Sequence, residues 1–368
     1  MKDFILKAVS GIETAFDKTF FIIKKKINRI GPLVILPYDG FGNHKTIYIT
    51  GRLLEDEGLA HPQEGASIWT NMVTMLKRFE SDEIPHARIQ AVFQNQQQVV
   101  TTDSEGYFQV EFSVKDTLPS NQVWHLVHFT LLDQIVKGQQ EVKATGRVLI
   151  PPRTRQFGVI SDVDDTIIVS RATDLTQKLK LMFLQNAKSR MPFEGVATFY
   201  RALQEGNDGQ HYNPIFYISS SSWNLYDLLT HFCEVNEIPK GPFLLRDMGI
   251  DKTTFIKSGH SEHKAEKVKR IFHMYPHLPF ILIGDSGQKD AEIYEQVARQ
   301  YPDQVLAIYI RDVAEDKGDK KVRKIAQQLQ SHDIEMLLCQ DTHEAARHAV
   351  QRGFIQEKTL HAIASQPK

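Results

Sequence analysis

The chain has 368 residues, 41% of them hydrophobic and 24% charged, with a formal net charge of −1. That length suits two domains, and the composition excludes a disordered tail protein, a collagen-like chain and a long coiled coil, while near-neutrality speaks against nucleic acid as a partner. Two cysteines, Cys233 and Cys339, are too few for a disulfide scaffold, and no run reaches the ~18 apolar residues of a membrane span, so a cytoplasmic location is expected.

Residues 1–30 read as one amphipathic helix, with Ile5, Val9, Ile12, Phe16, Phe20 and Ile23 at steps of three and four. Its polar face is basic, from Lys2 through Lys24, Lys25, Lys26 and Arg29. Such a helix either docks on the rest of the protein or lies peripherally on an anionic membrane. From 45 to 150 the period becomes two. Ile47 and Ile49, then Ile89, Ala91 and Phe93, then Phe108, Val110, Phe112 and Val114, then Val142 to Ile150 alternate with polar neighbours. This predicts half-buried antiparallel strands in a β-sandwich-like domain, interrupted by a helix over Trp69 to Phe79. Thr102-Asp103-Ser104-Glu105-Gly106 reads as a turn between strands, and Thr102 to Phe108 resembles the T-D-x-x-G-x-F turn of transthyretin-like modules.

Pro151-Pro152 cannot continue a central strand and marks a boundary. Beyond it, over 153–368, short apolar runs alternate with helical stretches: Phe157–Ser161, Ile215–Ser219, Pro279–Gly284, Val305–Ile310 and Ile334–Leu338. That order predicts a parallel sheet covered by helices on both faces. Ligands of such sheets bind beyond the carboxyl ends of the strands, so the residues just after each run decide the chemistry.

After the first run comes Asp162-Val163-Asp164-Asp165-Thr166, two carboxylates two apart that can face one point. A calcium loop would need Gly at Ile167 and Glu at Thr173, so the choice is between an acidic turn and a reactive pair. After the second comes Ser219-Ser220-Ser221-Ser222-Trp223, either a helix cap or hydroxyls that bind phosphate oxygens beside backbone N–H groups. After the run at 279–284 comes Gly284-Asp285-Ser286-Gly287-Gln288-Lys289-Asp290, with two more carboxylates at the same edge. Lys264 opens a helix through Val268 and Ile271. Neither dinucleotide nor P-loop glycine spacing occurs.

In this order, the motifs resemble those of the haloacid dehalogenase superfamily of phosphotransferases. Ser161 to Thr166, Tyr217 to Tyr226, Leu244 to Asp247, Ile283 to Asp290 and Ile308 to Val313 are similar to the catalytic-domain family of actin-patch-type phosphatidate phosphatases, over about 155–355. Ser222 stands where that family often has Pro, a change that bears on loop rigidity.

The resemblance implies an α/β fold of the haloacid dehalogenase type, with a Rossmannoid parallel sheet. It also implies a Mg²⁺-dependent phosphatase that converts phosphatidate to diacylglycerol, or acts on another phosphoester. The remaining reading is a non-catalytic scaffold, which the intact Asp162, Asp164, Lys264 and Asp285 oppose. By the resemblance Asp162 is the nucleophile and Asp164 the acid and base. Ser219 and Lys264 hold phosphate oxygens, with Lys257 a rival to Lys264. Thr166, Ser220 and Ser221 support the phosphate. Asp162, the Asp164 carbonyl and Asp285 hold the metal, with Asp290 in support. Neither Ile167–Asn213 nor Ser222–His263 has room for a large cap, so an open site and a membrane-bound substrate are expected, with residues 1–30 against anionic lipid.

Overall fold

A computed structural model describes residues 31–56, 82–119, 122–168, 193–246, 260–313, 317–331 and 333–364. The helices expected at 1–30 and at Trp69 to Phe79, and Lys257, lie outside the described residues. The chain divides into two compact units. Among the described residues the first comprises 31–37, 51–56, 82–108 and 128–145, and the second comprises 38–50, 109–119, 122–127 and everything described from 146 onward.

The N-terminal half carries strands β1 (Leu33–Pro37), β2 (Gly40–Gly42), β3 (Thr46–Glu55), β4 (Arg88–Phe93), β5 (Gln96–Thr101), β6 (Tyr107–Ser113), β7 (Trp124–Leu131) and β8 (Lys143–Leu149). In the first unit β1 runs antiparallel to β3, with Leu33 opposite Glu55, and β4 runs antiparallel to both β5 and β7. β4 buries Ile89, Ala91 and Phe93 and turns its polar side chains outward, as its period of two predicts. The expected turn also forms. Asp103 Oδ1 accepts from the N–H groups of Glu105 and Tyr107, both at 2.9 Å, and Gly106 takes φ +78°, where a side chain is strained.

In the second unit β2 pairs antiparallel with β3, Phe41 opposite Tyr48, but parallel with β8, Phe41 opposite Leu149. This one parallel pair departs from the all-antiparallel expectation. About a hundred residues separate β2 from β8, far more than a parallel crossover requires.

The rest of the second unit alternates strand and helix: β9 (Gly158–Asp162), α1 (Val196–Glu205), β10 (Ile215–Ser222), α2 (Tyr226–Val235), β11 (Phe243–Arg246), α3 (His260–Met274), β12 (Phe280–Asp285), α4 (Asp290–Gln300), β13 (Val305–Arg311), α5 (Lys317–Gln330), β14 (Met336–Cys339), α6 (Thr342–Gln351) and α7 (Lys358–Ala364). Six strands form one parallel sheet in the order β11-β10-β9-β12-β13-β14. The chain builds outward from β9 on one side, then returns to build outward on the other. The switch point, where ligands of such sheets bind, lies between β9 and β12.

Alternation along the central strands sends their side chains to two faces. Ile160, Leu282 and Ile308 join Val268, Ile271, Tyr294 and Val297 of α3 and α4 in one core. Ser161 and Tyr309 face the other way, where the Tyr200 hydroxyl meets Ser161 Oγ at 2.6 Å and the Phe199 ring meets Tyr309 edge-on. Helices therefore cover both faces. Asn213 fixes the entry to β9: its side-chain oxygen accepts from the N–H groups of Gln156 and Phe157, and its amide donates to Leu203 O. The Ser222–His263 stretch holds α2 and, in β11, an edge strand of the sheet. Among the described residues no helix is long and apolar enough to cross a membrane.

Candidate active site

β9 ends at Asp162, whose side chain is fully buried. The chain then turns sharply. Asp165 takes a left-handed φ of +56°, its N–H donates to Ile168 O, and the N–H groups of Ile167 and Ile168 both return to Val163 O. Val163, Ile167 and Ile168 are buried, so three apolar side chains pin this loop. The carboxylates of Asp162 and Asp164 are thereby held at the sheet's carboxyl edge.

The neighbouring strands deliver the partners. On one side Ile218 of β10 lies opposite Asp162, and the next residue, Ser219, donates from Oγ to Asp164 Oδ2 at 2.9 Å. The Ser221 N–H donates to the same Ser219 Oγ at 3.0 Å. Ser219 to Ser222 lie inside β10, not in a loop beyond it, and the pairing with β11 shifts register there. Ser220 and Ser221 are half-buried along that extension. On the other side β12 ends at Asp285, whose Oδ1 accepts from the N–H groups of Gly287 at 2.7 Å and Gln288 at 2.8 Å. Asp290, the first residue of α4, accepts the Asp285 N–H on Oδ2 at 3.1 Å. Gly284 makes this possible, since a Cβ there would lie 2.5 Å from Asp290 Oδ2.

Lys264 enters from α3. Its ammonium, 3% exposed, sits 2.6 Å from Asp162 Oδ1 and also pairs with Asp290 Oδ1. Thr166 Oγ1 lies 3.4 Å from Asp162 Oδ2. Burial pushes the Asp162 carboxyl well up, Lys264 pulls it down, and Asp290, Asp164 and Asp285 push it up again. Asp164 is raised chiefly by burial, against the Ser219 hydrogen bond. Asp285 is raised to about 7, by burial first and by Asp290 second. For Lys264 burial works downward, but the two carboxylates outweigh it and hold the ammonium charged.

Among the described residues, four buried or half-buried carboxylates thus gather around one buried ammonium. Buried charges are paired, neutralised by a shifted pKa, or held by a metal ion. Asp162, Asp285 and Asp290 each offer an oxygen within 4.8 Å of the others. Among the described residues, Asp285 Oδ2 and Asp164 Oδ1 are buried without a hydrogen-bond partner. An all-oxygen set of this kind suits a hard divalent cation.

Asp162, Asp164, Thr166, Ser219, Lys264, Asp285 and Asp290 come together here, Ser219 through its bond to Asp164, while Ser220 and Ser221 lie along β10. Three contributors went unread in the sequence. Lys267 donates from Nζ to the Ser219 carbonyl at 2.8 Å, and Gln288 Nε2 reaches Asp164 O at 3.4 Å. Lys267 follows Lys264 by one helical turn, a spacing that marks a shared face. Tyr200, behind Ser161, carries no such signal.

Residues 157–312 match the family described as the catalytic domain of phosphatidate phosphatase APP1. The chain is 32% identical over 182 residues to a protein of Saccharomyces cerevisiae named phosphatidate phosphatase APP1, covering 49% of this chain and 28% of that one. It is 26% identical over 268 residues to an uncharacterized protein of Schizosaccharomyces pombe, covering 71% and 41%. The chain therefore spans less than half the length of either relative. A solved carbohydrate acetylesterase from Xanthomonas citri aligns over 79% of this chain and 72% of its own, at 11% identity and a TM-score of 0.26, too low to inform the fold.

Proposed function

We propose that the chain is a phosphatidate phosphatase of the haloacid dehalogenase type, acting through an aspartyl-phosphate on Asp162. What supports this most is the gathering of Asp162, Asp164, Asp285 and Asp290 around Lys264 at the switch point, within the segment that matches the phosphatidate phosphatase catalytic family.

An Asp162 oxygen attacks phosphorus, the bond from phosphorus to the glyceryl oxygen breaks, and Asp164 gives its proton to the departing oxygen. Water then attacks phosphorus, Asp164 takes up its proton, and the bond to Asp162 breaks to release phosphate. Lys264 and Ser219 hold the non-bridging oxygens, Ser219 exchanging its bond to Asp164 for one to phosphate. Thr166 braces Asp162, and Ser220 and Ser221 support the phosphate end. Asp162, the Asp164 carbonyl and Asp285, with Asp290 in support, would hold Mg²⁺, whose positive charge would let a carboxylate approach an anionic phosphate.

In this reading residues 153–368 form the catalytic domain and 45–150 a β-module. Residues 1–30 hold a cytoplasmic protein peripherally against anionic lipid. The test is a panel of phosphatidate, lysophosphatidate and p-nitrophenyl phosphate, with and without Mg²⁺. Mg²⁺-dependent phosphate release with phosphatidate preferred is expected, and release from none of the three contradicts the reading.

A further inference from the structure

The second unit has a cavity of about 190 Å³ that the phosphoryl-transfer steps do not use. Phe41, Trp223, Phe243, Leu244 and Leu245 form a buried apolar part of its wall, and buried Asp39 with Thr50 brings polar atoms to the rest. Glu266 and Arg270, on the outer face of α3, are exposed and form its mouth.

The cavity shares a wall with the phosphate end of the site. His263 and Lys267 line it. His263 adjoins Lys264, whose ammonium holds Asp162, and Lys267 donates to the carbonyl of Ser219, whose hydroxyl holds Asp164. Trp223 directly follows β10, the strand that carries Ser219. Lys264 at the site and Lys267 on the cavity lining are thus three residues apart on α3, about 5 Å along the helix axis.

The wall is also preformed. The Trp223 ring stacks on Tyr38 at 4.3 Å and 17° and leans on Tyr226 at 5.9 Å. The Asp39 N–H donates to the Tyr226 hydroxyl, and Arg147 grips both Asp39 oxygens, at 3.0 and 2.9 Å. Arg270 lies flat on Tyr48, 3.5 Å from the ring centre. A rigid pocket binds without the cost of ordering its walls. An apolar cavity of about 150 Å³ takes up benzene. This one suits the first stretch of an acyl chain, not a whole lipid.

We propose that this cavity receives the proximal part of one ester-linked acyl chain of the substrate while its phosphate lies at Asp162. The inference rests on the lipid phosphatase reading and adds to it a site of selection by the alcohol side of the phosphoester.

The experiment measures kcat/KM of the full chain with Mg²⁺ on p-nitrophenyl phosphate, glycerol 3-phosphate and dibutanoyl, dihexanoyl and dioctanoyl phosphatidate as dispersed monomers. For the native protein the value should rise with chain length, by up to about fourfold per methylene that enters the cavity, and then level off. Glu266→Trp at the mouth and Thr50→Leu on the wall should each lower the ratio of dihexanoyl phosphatidate to p-nitrophenyl phosphate turnover at least tenfold. Dihexanoylglycerol should competitively inhibit p-nitrophenyl phosphate hydrolysis by the native protein, where glycerol does not. That measurement decides the matter even if both variants fail to fold. Hydrolysis with no dependence on chain length, or no inhibition by dihexanoylglycerol, overturns the subsite and leaves the phosphatase reading standing. Hydrolysis of none of the five overturns both.

Discussion

Lys264 and Asp162 form an ion pair sealed from solvent, Nζ to Oδ1 at 2.6 Å, with side-chain exposures of 3% and 1%. The same ammonium pairs with Asp290, so one cation joins the end of β9 to the start of α4. Removing one partner of a buried pair leaves the other charge uncompensated, at a cost of about 3–5 kcal/mol. Lys264→Met should therefore abolish turnover and lower the melting temperature in metal-free buffer. Adding Mg²⁺ should restore part of the melting temperature but none of the turnover. A scan at fixed protein concentration with and without metal reads both.

Among the described residues Asp285 leaves one oxygen, Oδ2, buried and without a hydrogen bond. A cation bound there should stabilise the native protein by about 2.7 kcal/mol at a hundred times its dissociation constant. The native melting temperature should rise with Mg²⁺ concentration, and in Asp285→Asn the rise should vanish. An equal rise in both would remove Asp285 from the metal site.

Gly284 has a packing role that a single methyl group tests. A Cβ there would sit 2.5 Å from Asp290 Oδ2 and 2.7 Å from Asp290 Cβ, too close for any contact. Gly284→Ala should push Asp290 away from Asp285, costing about 1–3 kcal/mol of stability from overpacking. The loss of kcat should exceed tenfold, measured on p-nitrophenyl phosphate.

Arg147→Ala should weaken the fold in a pH-dependent way. Burial holds the Asp39 carboxyl above its ordinary value, and Arg147 pulls it down. Without Arg147 the folded-state value rises further above the unfolded one. An Asp so shifted contributes stability that is present below the unfolded value and lost as pH rises through the folded one. The deficit of the variant should therefore grow from pH 5 to pH 8 in urea titrations, and a deficit that shrinks over that range contradicts this account.

Much of the parallel sheet is legible because β9, β10, β12 and β13 each contain a short, largely buried apolar run. β11 escapes notice: four residues, Phe243 to Arg246, directly after Gly241-Pro242, give no period to read. β5 escapes for the opposite reason. Gln96 to Thr101 is largely exposed, and its pairing with β4 stabilises a strand that its own pattern does not announce. At the site, the carboxylates and Lys264 are legible from their places after strands and at a helix start. The bond from Ser219 to Asp164 is not, because it depends on the register between β9 and β10. Tyr200 meets Ser161 only because alternation turns Ser161 toward α1, a matter of sheet faces rather than of any motif.

The most direct test of Asp162 as the nucleophile compares Mg²⁺-dependent phosphate release from phosphatidate by the native chain and by Asp162→Asn, with thermal unfolding monitored for both. The native chain should turn over, and the variant should release no phosphate while keeping a cooperative melt. Undiminished release by Asp162→Asn would contradict the assignment of Asp162 as nucleophile.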